Sequence, residues 1–252
     1  RAATNVHKIE EAKPEPVLPV PFAATEVSFQ HHEYGEPSTV WTYTDADGEV
    51  LLYVCRFDPP GERKQIIPRS WCTHPGKPSR WTWRGITGPG KRPLLFQHIL
   101  AASPDADVIV VEGEKAAVAA QQLFGETAIV TTWLGGVEPA DRADLKLLAG
   151  RRVILWPDFD SGTYPERSLQ AGQLMARHEQ PGTRAMMTIA TALKGHAREI
   201  IMVGYTPGGD FEHGWDLADA LASGWTTEDA ASYMAKNAGD PWHVATIKPP
   251  AP

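Results

Sequence analysis

Five acidic positions in this 252-residue chain stand out because of the patterns around them. The apolar run 108–111, Val-Ile-Val-Val, has the length and character of a strand buried on both faces, and it stops abruptly at Glu112-Gly113. A carboxylate is thus presented where such a strand ends, and Gly113 removes the Cβ beside it, so the backbone can bend or a ligand can come close. A second apolar run, Val153-Ile154-Leu155-Trp156-Pro157, leads in the same way to Asp158-Phe159-Asp160. If extended geometry continues through them, Asp158 and Asp160 point to the same side, because strand side chains alternate with period two. Carboxylates placed side by side raise one another's pKa. A divalent cation removes that conflict, and an all-oxygen donor set suits Mg2+ or Mn2+. A later acidic pair, Asp216 and Asp219, lies at the head of a helical pattern in 214–221.

The surrounding pattern supplies the elements that must hold these acids. Pro93 suits the first turn of a helix reaching Ala102, and a helix over 115–124 follows Glu112. Residues 127–132 read as a strand, and 138–150 as a helix closed by Gly150. After Asp160 the spacing predicts an amphipathic helix over 165–178, a second over 183–196, and a strand over 199–203. A Gly-rich loop over 205–214 leads to Asp216, and Thr226 caps a final helix ending near Asn237. Strands alternating with helices predict an α/β domain, with a parallel sheet flanked by helices. Upstream, 40–44 and 50–57 flank Asp45-Ala46-Asp47-Gly48, a hairpin signal, and short strands are expected over 64–68 and 80–84. The organisation expected is a Pro-rich arm or linker (1–37), a small β-rich basic subdomain (38–104), the α/β domain with its C-terminal helices (105–240) and a Pro-rich tail (241–252).

The order strand-Glu-Gly, strand-Asp-x-Asp, acidic helix start resembles the TOPRIM domain shared by bacterial-type primases, topoisomerases and some nucleases. The wording Val-Val-Glu-Gly-Glu-Lys and Gly-Trp-Asp-Leu-Ala-Asp-Ala-Leu is most similar to the primase regions of phage and plasmid primase-helicases. The resemblance covers about residues 105–223. It implies a metal-dependent DNA primase that makes short RNA primers on single-stranded DNA. Glu112, Asp158 and Asp160 would be its catalytic residues, and these three with Asp216 would bind Mg2+ or Mn2+. Magnesium held by Asp158 and Asp160 would neutralise the triphosphate and stabilise the pyrophosphate as Lewis acid and clamp, Glu112 would act as general base or share an ion, and Asp216 would complete the shell directly or through water. Asp219 would cap a helix or face solvent. Ala116 stands where many such proteins carry another acid.

Charge is unevenly distributed. The chain carries −7 overall, yet 51–100 holds nine Lys or Arg against Asp58 and Glu62, which makes that window basic and the remainder strongly acidic. A basic segment beside an acidic site suits a phosphate backbone and a triphosphate. Arg56, Arg80, Arg84, Lys91 and Arg92, with Lys115 next to the motif Glu, are the candidates for holding nucleic acid or nucleotide, and Trp71, Trp81 and Trp83 offer stacking faces or core. The stretch 85–91 fits seven positions of a P-loop, but Arg92 occupies the eighth where Ser or Thr is required, which excludes an NTPase reading. Cys55 and Cys72 lack zinc spacing, and His31-His32 lacks a third ligand in the sequence around it. No apolar run reaches membrane-spanning length, no signal peptide opens the chain, and the cytoplasm is expected. Arg1 in place of Met fits a piece cut from a longer protein. The expected partners are a single-stranded DNA template, ribonucleoside triphosphates and a replicative helicase in cis or in trans. Two other readings use the same residues: a TOPRIM nuclease in which water replaces the 3′-hydroxyl, and a non-catalytic TOPRIM module that binds nucleic acid, which Ala116 favours.

Overall fold

The computed structural model describes residues 13–86, 92–125, 127–135 and 140–244. They fall into two units, one from 13–43 and 49–86, the other from 44–48 and 92–244.

The first unit is an antiparallel sheet of β1 (Glu15–Pro16), β2 (Thr39–Thr44), β3 (Val50–Phe57), β4 (Gln65–His74) and β5 (Lys77–Trp83). The β2–β3 turn forms at the expected Asp45-Ala46-Asp47-Gly48. Gly48 adopts φ 87° there, and the Asp45 carboxylate accepts the Asp47 N–H at 3.0 Å. β4 is twice the expected length because Trp71 and Cys72 are buried and pair on both edges. Residues 13–37 are not a free arm. β1 pairs with Cys72 and Thr73, Val17 donates to Trp71 O (2.8 Å), Val20 donates to Val50 O (2.7 Å), and the Trp81 indole donates to Thr25 O (2.8 Å). Prolines without N–H groups are tolerated on an edge strand, which is where this segment lies.

The second unit contains α1 (Gln97–Ala102), β6 (Val108–Val110), α2 (Glu114–Phe124), β7 (Ile129–Thr131), β8 (Arg152–Leu155), α3 (Pro181–Leu193), β9 (Glu199–Val203), α4 (Leu217–Ala222), α5 (Thr227–Asn237), β10 (Ala238–Gly239) and α6 (Pro241–Val244). Its sheet runs β10-β9-β8-β6-β7, parallel except for β10. Val108, Val110, Val153 and Leu155 pack with Met186, Ile189 and Leu193 of α3, while Ile109 and Ile154, of opposite parity, are equally buried. That is the pattern of a sheet covered on both faces. Val110 pairs with Leu155, and Leu155 with Met202, so β6, β8 and β9 end at one level. Whatever follows them meets at one edge.

Three expected helices take other forms. Residues 165–178 are a run of turns closed by a 3₁₀ turn at Arg177–Glu179, interrupted at Gly172 (φ 76°) and tied down by the buried Gln180. The Gln180 amide accepts from Gly162 N and donates to Gly162 O and Met175 O. Residues 140–150 form two 3₁₀ turns because their backbone pairs with Arg92, which donates to Arg142 O and accepts from Asp144 N. The helix after Pro93 starts only at Gln97, since Leu95 first pairs with Thr132 and Phe96 takes φ 62°. The tail begins with α6, which packs on β9 and α3. Among the described residues no helix is long and apolar enough to cross a membrane.

One buried cation anchors the strand that carries the Asp-x-Asp. Arg151, 4% exposed, donates to the carbonyls of Leu100, Ser103, Ala106 and Leu147, so it gathers the carbonyl end of α1 and the turn before β8. Arg151→Ala leaves those acceptors unsatisfied and is expected to cost about 3 kcal/mol or more in urea unfolding; a loss below about 1 kcal/mol would contradict this role.

Candidate acidic site at the sheet edge

Glu112 follows Val111, whose N–H still pairs with Thr131 O (3.0 Å), so the residue leaves the sheet at its C-terminal edge. Gly113 is the N-cap of α2 with an extended φ of −142°; it makes no sharp left-handed bend, and a Cβ there would meet nothing within 4 Å. The Glu112 side chain is buried, and its Oε1 accepts the Asp158 N–H at 2.8 Å. Burial pushes its pKa up to about 8; the Asp158 N–H opposes that shift, and the charges of Asp160 and Asp216 add to it.

The Asp-x-Asp segment does not continue as a strand. β8 ends at Leu155, and the Asp160 N–H bonds to Asp158 O at 2.9 Å, a three-residue turn centred on Phe159. Phe159 is the anchor. Its N–H donates to Trp215 O (2.9 Å), its carbonyl accepts from Gly214 N (3.0 Å), and its ring stacks on Tyr205 and Trp215 at 4.8 and 5.2 Å. The loop that carries Asp216 is therefore fastened to the residue between the two aspartates.

Asp160 Oδ2 accepts the N–H of Gly182 in the first turn of α3, at 2.9 Å. A Cβ on Gly182 would lie 2.0 Å from Glu112 Oε1 and 3.2 Å from Asp160 Oδ2, so both carboxyl groups close on one point and only glycine leaves them room. The α3 N-terminus contributes positive dipole there. Asp216 caps α4, accepting from Ala218 N (2.7 Å) and Asp219 N (3.0 Å), and Asp219 returns the bond to Asp216 N. Lys115 Nζ lies 3.2 Å from Asp219 and 4.0 Å from Asp216, so it is engaged by acids on α4. Glu112, Asp160 and Asp216 thus share one neighbourhood, and Asp158 joins it through its backbone.

A hard-oxygen donor set of this kind matches Mg2+ or Mn2+. Among the described residues, three ligand atoms come within 4.8 Å of one another at His31, His32 and Glu33, not among the acids. An ion at the sheet edge would accordingly keep water between itself and some carboxylates, as Mg2+ commonly does. Glu33 is the third group near the His pair, but the His31 Nδ1 lone pair already faces the N–H groups of Glu33 (3.2 Å) and Tyr34 (3.3 Å), and its ring packs against Tyr34, Phe57 and Trp83.

The basic candidates divide. Arg56 forms a two-pronged pair with Asp58, at 2.7 to 3.0 Å. Arg80 is exposed and Arg84 half-buried, both within the first unit. Arg92 donates to Leu134 O (3.2 Å) in the second unit, and Lys91, like most of the P-loop-like stretch, lies outside the described residues. Trp71, Trp81 and Trp83 belong to the packing of the first unit: Trp81 lies 5.6 Å from both Trp71 and Tyr53, and Arg69 sits over the Trp83 ring at 4.4 Å. Ala116 is buried in α2, where its small size serves packing.

No protein-family model matches the chain, and no curated protein does. Solved primase structures are similar to it in fold at low identity. The catalytic core of DnaG primase has a TM-score of 0.49 at 17% identity, covering 81% of this chain and 54% of that one. A DNA primase domain from Pseudomonas aeruginosa has a TM-score of 0.47 at 13%, covering 79% and 50%. The primase fragment of the bacteriophage T7 primase-helicase has 0.45 at 14%, covering 77% and 60%. The chain spans about half the length of the first two.

Two outcomes follow from the crowding at Glu112. Without divalent cations, a carboxyl whose folded pKa is raised stays protonated below about 8, and the fold loses stability as pH rises from the ordinary carboxyl range to that value. Glu112→Gln should therefore be more stable than the parent above pH 8 by at least ~1 kcal/mol, and the difference should vanish near pH 4. Equal differences at both pH values would contradict the shift. Gly182→Ala should cost about 1–3 kcal/mol by overpacking, and spectroscopy should show Glu112 returning toward an ordinary pKa as it is displaced. An unperturbed variant would rule out the close approach.

Proposed function

We propose that this chain is a metal-dependent nucleotidyltransferase of primase type, which joins ribonucleotides on a single-stranded DNA template in the replication of a phage, plasmid or related element. The observation that carries the reading is the convergence of Glu112 and Asp160 on one point beside Gly182, at the C-terminal edge of a parallel sheet. Mg2+ or Mn2+, when bound, supplies Lewis acidity toward the triphosphate and its pyrophosphate leaving group. Asp158, Asp160 and Asp216 are the residues to hold it, some through water. Glu112 is the residue to take a proton from a 3′-hydroxyl; burial raises its pKa to about 8, so at neutral pH it serves as a base only when a bound divalent cation favours its carboxylate form. Its hydrogen bond to the Asp158 N–H fixes the direction in which its carboxyl faces.

Template binding falls to the first unit. Arg80, exposed on β5, leads its candidates, with Arg84 just beyond that strand. Ribonucleoside triphosphates are the substrates, and a replicative helicase in cis or in trans, in the cytoplasm, is the expected partner. The non-catalytic binding-module reading has one observation in its favour. Three of the acids already accept a backbone N–H: Glu112 from Asp158, Asp160 from Gly182 and Asp216 from α4.

Incubation with single-stranded template, labelled ribonucleotides and Mg2+ or Mn2+ separates the readings. Labelled oligomers are expected, abolished in Asp158→Ala and Asp160→Asn with the fold retained. A shortened template would instead establish a nuclease, and neither product a binding module. Arg80→Ala combined with Arg84→Ala should weaken single-strand binding and flatten its log–log salt dependence by about 0.7 for each phosphate no longer neutralised. An unchanged slope would return both to surface charge.

A further inference from the structure

A cavity of about 360 Å3 opens beside the loop that follows β9, and the nucleotidyl-transfer machinery described above uses none of its residues. Its wall contains Arg177, delivered by the irregular segment that precedes α3, and Lys236 from the last turn of α5. Arg177 is 8% exposed, and its guanidinium is steered by the bond from Nη1 to Tyr205 O at 2.6 Å. Lys236 is exposed at the rim. The same wall presents two aromatic rings, Phe211 and Tyr233, 5.8 Å apart and edge to face, and one carboxylate, Asp210, on the exposed loop. The Tyr233 hydroxyl donates to Gly204 O (3.2 Å), which holds that ring in place.

Two cations, the half-buried margins of two rings that otherwise pack against Trp156, Phe159, Trp215 and Trp225, and a single acceptor carboxylate make an uneven set of recognition groups. A bare inorganic anion would use the cations and meet repulsion from Asp210. A nucleoside phosphate uses all of them: phosphate on Arg177 and Lys236, base against a ring, and sugar or base N–H and O–H donors on Asp210. We propose that this cavity is a binding site for a nucleoside phosphate, adjoining the acidic edge through Tyr205, whose ring stacks on Phe159 between Asp158 and Asp160. The proposal deepens the nucleotidyl-transfer reading, on which it rests, by naming where a nucleotide is held.

The test is a titration of the full chain with ATP or GTP, without template or divalent cation, followed by intrinsic fluorescence. Saturable quenching is expected. Lys236→Ala, a surface change that leaves packing alone, should weaken binding by about tenfold. Asp210→Asn should weaken it also. Absence of saturation with either nucleotide, or an unchanged Kd in Lys236→Ala, overturns the assignment. So does inorganic triphosphate binding as tightly as ATP, because it would leave the rings and Asp210 without a role. Arg177→Lys extends the test where it folds, and Lys236→Glu replaces it where it does not. Because no turnover is read, a chain that binds nucleotide at this wall but makes no primer supports this site while removing the polymerase reading.

Discussion

A carboxyl group carried into the interior at the end of a parallel strand loses its hydration, and the Glu112 side chain does so with Asp160 and Asp216 close enough to add to the penalty. The surrounding structure is arranged to tolerate that. The Asp158 N–H is directed at Oε1, α3 presents its N-terminus, and Gly182 withholds the Cβ that would otherwise occupy the space of the carboxyl oxygens. A carboxyl raised toward neutrality in this way is the physical ground on which the proposed role of Glu112 rests.

The convergence is a property of the sheet. In-register pairing of β6, β8 and β9 ends three strands at one level, so the residues that follow each of them cannot help but meet. Arg151 fixes the start of β8 by gathering four carbonyls, and Phe159 fixes its far end by pairing with Trp215 and stacking in an aromatic cluster. The aspartates flank that anchor, and their placement is set by the packing of the ring between them.

What could be read from the residues, and what could not, divides along physical lines. Buried strands announce themselves by apolar runs, so the sheet, its parallel sense and the position of Glu112 after β6 were legible. So was the hairpin at Asp45–Gly48, because its turn chemistry is local. The turn at Phe159 was not, since it depends on a bridge to Trp215, 56 residues away in sequence, and an alternating pattern there looks like a strand. The helix expected over 165–178 failed for a similar reason: the Gln180 amide, buried by tertiary packing, holds the segment in turns. Gly182 had only a faint signal, a Pro-Gly pair opening a helix, and nothing in the sequence places it against acids 22 and 70 residues earlier. Likewise the prolines of 13–37 suggested an arm, whereas edge pairing with β4 builds the segment into the first unit.

The most direct test is infrared spectroscopy of the carboxyl stretch, taken as the difference between the parent and Glu112→Gln across a pH titration. If Glu112 is buried among the other acids as described, the band of its protonated carboxyl should persist to about pH 8 in the absence of divalent cations and disappear at pH 7 when Mg2+ or Mn2+ is added. A band that titrates in the ordinary glutamate range and ignores those cations would mean that the acids do not form a common site.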